Sequence, residues 1–246
     1  MIVISHPSTN DASPGVMHYA LLILIAPTLA ILLQLLTASN SSTSSNSNAS
    51  SLHHRRRLQH ALTGILFYVL SFILPHIVAI ILLSLATIAF YALHSARSTS
   101  TSVQEYYMKH FGPLLRDHEK NIYTLPGAFW FLVGTTIVVS AFPIHIARTS
   151  LLCLSFGDPI AALVGIRIGG PKIVVSTGGS KSVSGCLACF WTCYLVAFFC
   201  MNEFGSEAWF LTGFVATFME VFSSWIADDN VLIPVGTGTV LWLYTN

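Results

Sequence analysis

Charge is the property that this sequence has least of. Only 9% of its 246 residues are charged, 54% are hydrophobic, and the mean hydropathy is +0.70. A soluble domain carries about 25% charged residues, so this chain cannot cover its surface with charge, and we expect it to lie in a bilayer. The formal net charge of +1 lacks the basic excess typical of nucleic-acid-binding proteins, so we predict no nucleic-acid partner.

Three common signatures are also absent. Cys186 and Cys189 form a Cys-x-x-Cys pair, but no histidine lies nearby and no second pair exists, so we expect the five cysteines to pack between membrane helices rather than bind metal. No basic residue precedes the first apolar run near Met17, whereas a secretory signal has a positive n-region, so we expect a retained transmembrane helix there. The Walker A pattern is not matched either.

Long apolar runs dominate the chain instead. A helix needs about 20 apolar residues to cross a bilayer, and Pro75 separates two of the runs because proline interrupts regular helix. The runs predict an all-α, polytopic membrane protein with about seven to eight transmembrane helices. The candidate spans are 17–38, 58–74, 76–93, 127–147, 149–166, 182–201 and 208–227, followed by a short run, 231–244, that either spans thinly or re-enters.

Two polar segments separate the early spans. Residues 37–51 are a low-complexity Ser/Asn-rich segment with nothing to bury, so we expect it to be disordered. Residues 94–126 mix aromatic and charged side chains, which indicates an interfacial helix near 103–116.

The basic residues are distributed unevenly between the loops. If the N-terminus is outside and the spans alternate, ten of the eleven Lys and Arg residues fall on one side, and only Arg148 falls on the other. The positive-inside rule makes the basic side cytosolic. The opposite loop 202–207 contains two acids and no base, in agreement with this orientation.

Two acids interrupt the spans, Asp158 and Glu220. Asp158 lies nine residues before Arg167, and Glu220 lies eight before Asp228. At the rise of an α-helix, both acids are therefore about 12–14 Å below the predicted cytosolic face. Ionisable groups at such depth are costly unless they are partnered, and they mark functional sites by default; the alternative is a structural hydrogen bond between helices. Gly157 and Pro159 flank Asp158, and we expect them to break its helix, because both residues weaken regular helix.

The segment after Asp158 has a composition that suits an anion. Glycines allow close approach of backbone N–H groups, lysines supply charge, and the next span begins near Ser182, so that a helix N-terminus points there. Together with the carboxylate they predict a phosphate and Mg²⁺ site; the alternative is a basic loop that only orients the chain. The residues are Gly165, Gly169, Gly170, Lys172, Ser180, Lys181, Ser182, Ser184 and Gly185.

A third group, Asp228, Asp229 and Asn230, ends the seventh span on the same side. Adjacent acids at a helix end are usually only solvated. Here they lie next to a predicted phosphate site and offer the oxygen atoms that Mg²⁺ prefers.

Four stretches in order resemble the polyprenol kinase family, which includes dolichol, phytol and CTP-dependent diacylglycerol kinases. GDPIAALVGIRIGG with SKSVSGCLACF is similar to the family's G-D-x-x-A-x-x-x-G-x-x-x-G … K-S-x-x-G signature. RRRLQHALTGILF resembles its R-K-x-x-H-x-x-x-G element, FGPLLRDHEKNIYTLPGAFWFLVG its R-x-x-E segment, and FMEVFSSWIADDNVLIP its late E…D-N-x-x-x-P element. The likeness covers about 55–240 and departs at the STGGS insertion before Lys181.

The resemblance implies a lipid-kinase domain at 55–246, preceded at 1–54 by a transmembrane helix and the Ser/Asn-rich loop. It implies phosphoryl transfer from CTP, with ATP as the alternative donor, to a lipid alcohol such as dolichol, phytol or diacylglycerol. The expected compartment is the endoplasmic reticulum, with the plastid envelope as the alternative. A phosphatidate cytidylyltransferase is the second enzymatic interpretation, and a transporter with a broken helix is the non-enzymatic one.

The resemblance also assigns roles to the candidate site residues. Asp158, Lys181, Glu220 and Asp229 are the expected catalytic residues, and the three acids among them are the expected Mg²⁺ ligands. Arg116 and Glu119 are expected to pair and hold the amphipathic segment against the site, with a plain surface ion pair as the alternative. His60 is an expected substrate or supporting contact, with structural packing as the alternative. The expected nucleotide contacts are Gly157, Gly165, Gly169, Gly170, Lys172, Ser180, Lys181, Ser182, Gly185 and Asn230.

The charge distribution yields a first testable prediction. Both termini should be lumenal, so the N-x-S sequons at Asn40 and Asn48 should be cytosolic and carry no glycan. Glycosidase treatment of the protein from its native host should therefore leave its electrophoretic mobility unchanged. A glycan at either asparagine would contradict the topology. The loops expected in the cytosol are 37–57, 94–126, 167–181 and 228–230.

Overall fold

The computed structural model describes residues 49–175 and 179–246. The predicted span 17–38, both sequons and residues 176–178 of the STGGS insertion lie outside the described residues. Of the segment predicted to be disordered, residues 49–51 belong to a helix, which corrects the prediction for that end of it.

The described part of the chain folds into eight α-helices and one two-stranded sheet. Three short 3-10 turns, Gly112–Leu114, Asp117–Lys120 and Asn202–Phe204, complete the connections. In chain order the elements are α1 (Ala49–Ile73), α2 (His76–Thr99), α3 (Thr101–Phe111), α4 (Gly127–Ala141), α5 (Ile144–Arg167), β1 (Lys172–Val175), β2 (Gly179–Ser182), α6 (Val183–Cys200), α7 (Gly205–Ile226) and α8 (Asp229–Thr245).

The helices have the character of a membrane protein. Among the described residues, α2, α5 and α6 are long and apolar enough to cross a membrane, and α4 is a shorter apolar helix. Large apolar side chains also face outward, for example Ile77, Leu85 and Ile88 on α2. These features fit an all-α membrane protein, whereas seven to eight spans remain a prediction.

Several helix ends differ from the prediction. The boundary placed between 147 and 149 was wrong, because α4 ends at Ala141 and Pro143 caps the start of α5; proline is tolerated at a helix start, where its missing N–H is not needed. The short final run forms one continuous helix, α8. The helix expected near 103–116 is α3, with the 3-10 turn after it.

The break expected at Gly157-Asp158-Pro159 is absent, and that prediction was wrong. Helix α5 runs from Ile144 to Arg167 with Pro159 inside it. Neighbouring helices bond to the preceding turn: His60 Nε2 lies 3.3 Å from the carbonyl oxygen of Leu154, and Cys193 Sγ donates to the carbonyl of Cys153 at 3.6 Å. The carbonyl that Pro159 leaves without a backbone N–H donor is that of Ser155, four residues earlier, and these two contacts lie one and two residues before it.

Helix α5 is the centre of the fold. It packs against α1, α6 and α8, while α7 packs against α6 and α8. Helix α2 instead packs against α4, although only Leu74 and Pro75 separate it from α1. Because α1 and α2 have different partners, a cleft separates them. The main apolar core joins α4, α5, α6, α7 and α8 through Phe131, Leu151, Cys153, Leu154, Ala161, Cys189, Cys193, Ala216 and Ile233.

A β-hairpin between α5 and α6 departs from the all-α prediction. β1 and β2 are antiparallel, with Ile173 opposite Lys181. Gly169 and Gly170 precede β1 with φ of 67° and 95°, a region that favours glycine because it lacks a Cβ. The hairpin therefore returns the chain to the start of α6 and places Lys181 next to it.

The contact between α1 and α5 depends on Gly64. A Cβ at this position would overlap the side chain of Ser155 on α5. We expect Gly64→Ala to lower the free energy of unfolding by about 1–3 kcal/mol through overpacking, measured by unfolding in detergent. Gly112→Ala is the control, because its Cβ would meet only the flexible Met108 methyl group at 3.2 Å. Equal stability of both variants would contradict a tight α1–α5 contact.

Candidate functional site

The start of α6 forms one wall of the site. Ser182 caps the helix, and its Oγ accepts from the Gly185 N–H at 3.1 Å. Ser184 Oγ donates to the Gly169 carbonyl at 2.5 Å and ties the helix to the turn before β1. The N-terminus of α6 is thus built from the segment that the sequence predicted to bind phosphate, and such a terminus favours anions.

The glycines of this segment serve mainly to bring α5 and α6 together. A Cβ on Gly165 would lie 2.6 Å from Ser182 Oγ, and one on Gly185 would lie 2.7 Å from the Ala161 carbonyl oxygen. Both glycines also line a cavity. Gly157 faces away from it, because its Cβ would lie 2.8 Å from Cys193 Sγ.

A polar cavity of about 500 Å³ lies between the ends of α5 and α7 and the starts of α6 and α8. It brings together carboxylates, cations and hydroxyls from six parts of the chain. Its polar lining consists of Arg57, Arg116, Asp158, Lys172, Ser180, Lys181, Ser182, Glu220, Ser223, Asp228 and Asp229. The four residues expected to be catalytic therefore share one cavity.

Lys181 and Glu220 form an ion pair across this cavity. Lys181 Nζ donates to Glu220 Oε1 at 2.6 Å, and the Glu220 side chain is only 6% exposed. Burial lowers the pKa of Lys181, but Glu220, Asp229 and Asp158 outweigh it and raise the pKa above its ordinary value. Glu220 Oε2 is buried without a hydrogen-bond partner among the described residues, so this carboxylate has a free oxygen for a ligand.

Two adjacent aspartates at the start of α8 are held in different ways. Asp228 Oδ1 accepts from the Asn230 N–H at 3.0 Å and from Asn230 Nδ2 at 2.6 Å. Burial and the neighbouring Asp229 raise the pKa of Asp228 to about 7. Burial also acts to raise the pKa of Asp229, but Arg116 and Lys181 outweigh it and lower that pKa. Asp229 is therefore the carboxylate of the two that is held ionised.

Glu119 fixes the loop that carries Arg116. The buried Glu119 carboxylate accepts from the Arg116 N–H at 2.8 Å and from the Gly127 N–H at 3.0 Å. Arg116 Nε lies 3.7 Å from Glu119 Oε1. Burial acts to lower the pKa of Arg116, but Asp229 and Glu119 outweigh it and raise that pKa. The segment predicted to hold the loop against the site thus delivers a guanidinium to the cavity.

A second, larger cavity of about 1050 Å³ lies in the cleft between α1, α2, α4 and α5. Its walls are mainly apolar, with leucines, alanines and phenylalanines from all four helices. Arg57, Arg116 and Asp158 line this cavity and the polar one as well, so the two meet at these residues. His60, Glu119 and Asn230 line the apolar cavity; Asn230, which was expected to bind nucleotide, lies on this side.

Arg57 is the site residue that sequence reasoning missed. Its Nη1 is buried and has no hydrogen-bond partner in the described part of the chain. The sequence showed Arg55, Arg56 and Arg57 as a run of orientation charges. The signal that would have singled out Arg57 is its spacing, one helical turn before His60, which places both residues on one face of α1.

The donor set fits a hard cation held together with a phosphate. Asp158, Glu220 and Asp229 offer oxygen ligands around one cavity, and one Glu220 oxygen is unpartnered. No group of three or more His, Cys, Asp or Glu side chains within the described ranges is placed to hold a metal alone. Mg²⁺ is commonly bound by one or two carboxylates plus substrate phosphates, which is the arrangement that these residues permit.

Comparison with known proteins finds several relatives. The chain is 31% identical to CTP-dependent diacylglycerol kinase 1 of Schizosaccharomyces pombe over 153 residues, which cover 56% of this chain and 67% of that protein. It is 28% identical to CTP-dependent diacylglycerol kinase 1 of Saccharomyces cerevisiae over 152 residues, covering 52% of this chain and 51% of that protein. It is also 25% identical to an uncharacterized protein of Rickettsia prowazekii over 187 residues, which cover 74% of this chain and 89% of that protein. No protein-family model and no solved structure matches the chain.

The Lys181–Glu220 pair allows a stability test that is independent of ligand. Lys181→Met leaves a buried carboxylate unpaired and should lower the free energy of unfolding by about 3 kcal/mol. Because Glu220→Gln removes the orphaned charge, the double variant should recover most of that loss. Chemical or thermal unfolding in detergent measures both. A double variant as unstable as Lys181→Met would contradict the pairing.

Proposed function

This chain belongs to the polyprenol kinase family of membrane lipid kinases, and from that premise we propose that it transfers the terminal phosphoryl group of CTP to the hydroxyl of diacylglycerol. The nucleotide and the lipid are those in the names of its yeast relatives. The observation that carries the proposal is the meeting of a polar cavity and an apolar cavity at Asp158, Arg57 and Arg116.

The polar cavity suits the triphosphate of a nucleotide. The N-terminus of α6 and the cations Lys172, Lys181, Arg57 and Arg116 favour an anion of high charge. In the free protein Lys181 pairs with Glu220, and we propose that phosphate oxygens take over Lys181 on binding. Glu220 then becomes available as an oxygen ligand.

The apolar cavity suits the tails of a lipid alcohol. It lies between α1 and α2, which pack on different partners, so a lipid can enter sideways from the bilayer. Burial of its chains against apolar walls supplies binding free energy in proportion to area. The hydroxyl would then lie at the polar end, beside Asp158.

Phosphoryl transfer at this junction needs positioning and charge stabilisation more than covalent chemistry. The lipid hydroxyl oxygen forms a bond to the terminal phosphorus, the bond from that phosphorus to the bridging oxygen breaks, and CDP leaves. Among the carboxylates of the described chain, only Asp158 lines both cavities, so we assign it to orient the hydroxyl and accept its proton. Mg²⁺ would be held with the nucleotide by Glu220 and Asp229, which line the polar cavity only, and would neutralise phosphate charge. Arg57, Arg116 and Lys181 stabilise the charge that develops on the transferred group.

The direct test is an assay of purified protein with labelled CTP or ATP. Diacylglycerol, phytol, a dolichol and phosphatidate should each be supplied in separate mixed micelles. We expect phosphatidate and CDP as products, with CTP as the preferred donor. Release of pyrophosphate with formation of a CDP-lipid from phosphatidate would instead indicate a cytidylyltransferase. We expect the native protein in the endoplasmic reticulum, and fractionation with the plastid envelope would contradict that compartment.

Asp158→Asn should separate catalysis from folding. The amide keeps the size of the side chain but can no longer accept the hydroxyl proton, so the rate should fall on the order of 10³-fold. Stability should not fall, because a neutral amide is easier to bury than a carboxylate. The control is Asp117→Asn, because Asp117 has a 98% exposed side chain and lines neither cavity. An unstable Asp158→Asn protein with normal specific activity would contradict the assignment.

A further inference from the structure

Thr135 on α4 departs from a pattern that most helical threonines of the described chain follow. A threonine hydroxyl in a helix commonly donates to the carbonyl four residues earlier. The adjacent Thr136 does so, with Oγ1 2.7 Å from the Leu132 carbonyl oxygen. Thr135 Oγ1, in contrast, is buried and has no hydrogen-bond partner within the described residues. The threonines that follow the pattern include Thr63, Thr87, Thr149, Thr192, Thr212, Thr217, Thr237 and Thr239.

The residue that carries the unpartnered hydroxyl lines the apolar cavity. Thr135 is 1% exposed and lies on the cavity wall with Leu132 and Val139. The residue before it, Gly134, packs directly on the main chain of Asn230. Asn230 lines the same cavity, and its Oδ1 is also buried and without a partner in the part of the chain that the structure describes. Two residues of the cavity wall therefore carry a buried polar atom without a partner among the described residues.

The chemistry of these two atoms specifies complementary groups on a ligand. A buried polar atom without a partner is costly, so a bound ligand that satisfies it gains affinity. Asn230 Oδ1 can only accept, and the one hydroxyl proton of the lipid is already assigned to Asp158. The Thr135 hydroxyl can donate, and it lies deeper among apolar walls. Its complement is therefore a hydrogen-bond acceptor on the lipid itself.

Lipid alcohols differ in whether they supply such an acceptor. A diacylglycerol carries ester carbonyls within a few bonds of its hydroxyl. Dolichol and phytol carry only hydrocarbon beyond theirs. We propose that Thr135 is a specificity-determining residue, which donates a hydrogen bond to an ester carbonyl of the lipid and thereby selects acylglycerols. This inference rests on the proposed lipid-kinase function. It adds the side chain that distinguishes an ester-containing lipid from a hydrocarbon alcohol.

The test compares an ester lipid with its ether analogue. Dioleoylglycerol and dioleyl ether glycerol should be assayed in mixed micelles with the wild type and Thr135→Val, which removes the hydroxyl but keeps the shape. The wild type should favour the ester by about 3- to 10-fold in kcat/KM, the worth of one neutral hydrogen bond. Thr135→Val should lose this preference through a higher KM for the ester, with the KM for CTP unchanged.

A second readout distinguishes this role from a structural one. Because Thr135→Val removes an unsatisfied buried hydroxyl, its melting temperature in detergent without lipid should equal or exceed that of the wild type. The matched control is Thr136→Val, which removes a hydroxyl already bonded to the Leu132 carbonyl and should leave the ester preference intact.

The outcomes separate the two hypotheses. A wild type that phosphorylates neither lipid would overturn the proposed function. An active wild type without ester preference, or a Thr135→Val variant that retains the preference, would overturn the assignment of Thr135 alone. Destabilisation by Thr135→Val with the preference retained would show that the hydroxyl serves the fold.

Discussion

A carboxylate enclosed by apolar helices must be partnered, and this requirement organises the polar site. Asp158 and Glu220 lie on α5 and α7, where an isolated buried carboxylate would cost several kcal/mol. Three cations from other elements line the same cavity: Lys181 from the hairpin, Arg116 from the loop before α4, and Arg57 from α1. Each cation lies on a separate element of the chain. The carboxylates are therefore paired only when these elements pack around the same cavity.

Close helix packing makes this assembly possible. In a bilayer, helix association depends on small residues that let backbones approach. Gly64 allows α1 to reach α5, and Gly165 and Gly185 allow α6 to do the same. The thiols of Cys189 and Cys193 fill the space against Gly157. The cysteines therefore have a packing role in the described helices, next to the turn that carries Asp158.

Two sets of helices share the work of the site. The ends of α5 and α7, the hairpin, and the starts of α6 and α8 surround a polar cavity, whereas α1, α2, α4 and the length of α5 surround an apolar one. Helix α5 belongs to both sets, and Asp158 lies where they meet. Such an arrangement lets a water-soluble donor and a lipid acceptor reach one point from different phases. It also explains why the cleft between α1 and α2 stays open, because a tight contact there would close the apolar cavity.

The sequence by itself determined the membrane class, the main helices and most of the polar site. Apolar runs and loop charges are local features that can be recognised without the fold. The charged residues at the predicted site stood out for the same reason, because a charge next to an apolar run is costly in any fold; they are Asp158, Lys181, Glu220 and Asp229. Tertiary structure alone decided that α5 continues through Pro159, because the helices that pack against it, α1, α6 and α8, are distant in the chain and no local pattern reports them. It also decided where Arg57 and Thr135 lie. An arginine in a basic run and a threonine in an apolar helix have nothing unusual about them locally, and only the packing of α1, α4 and α8 around one cavity leaves their polar atoms buried and unpaired.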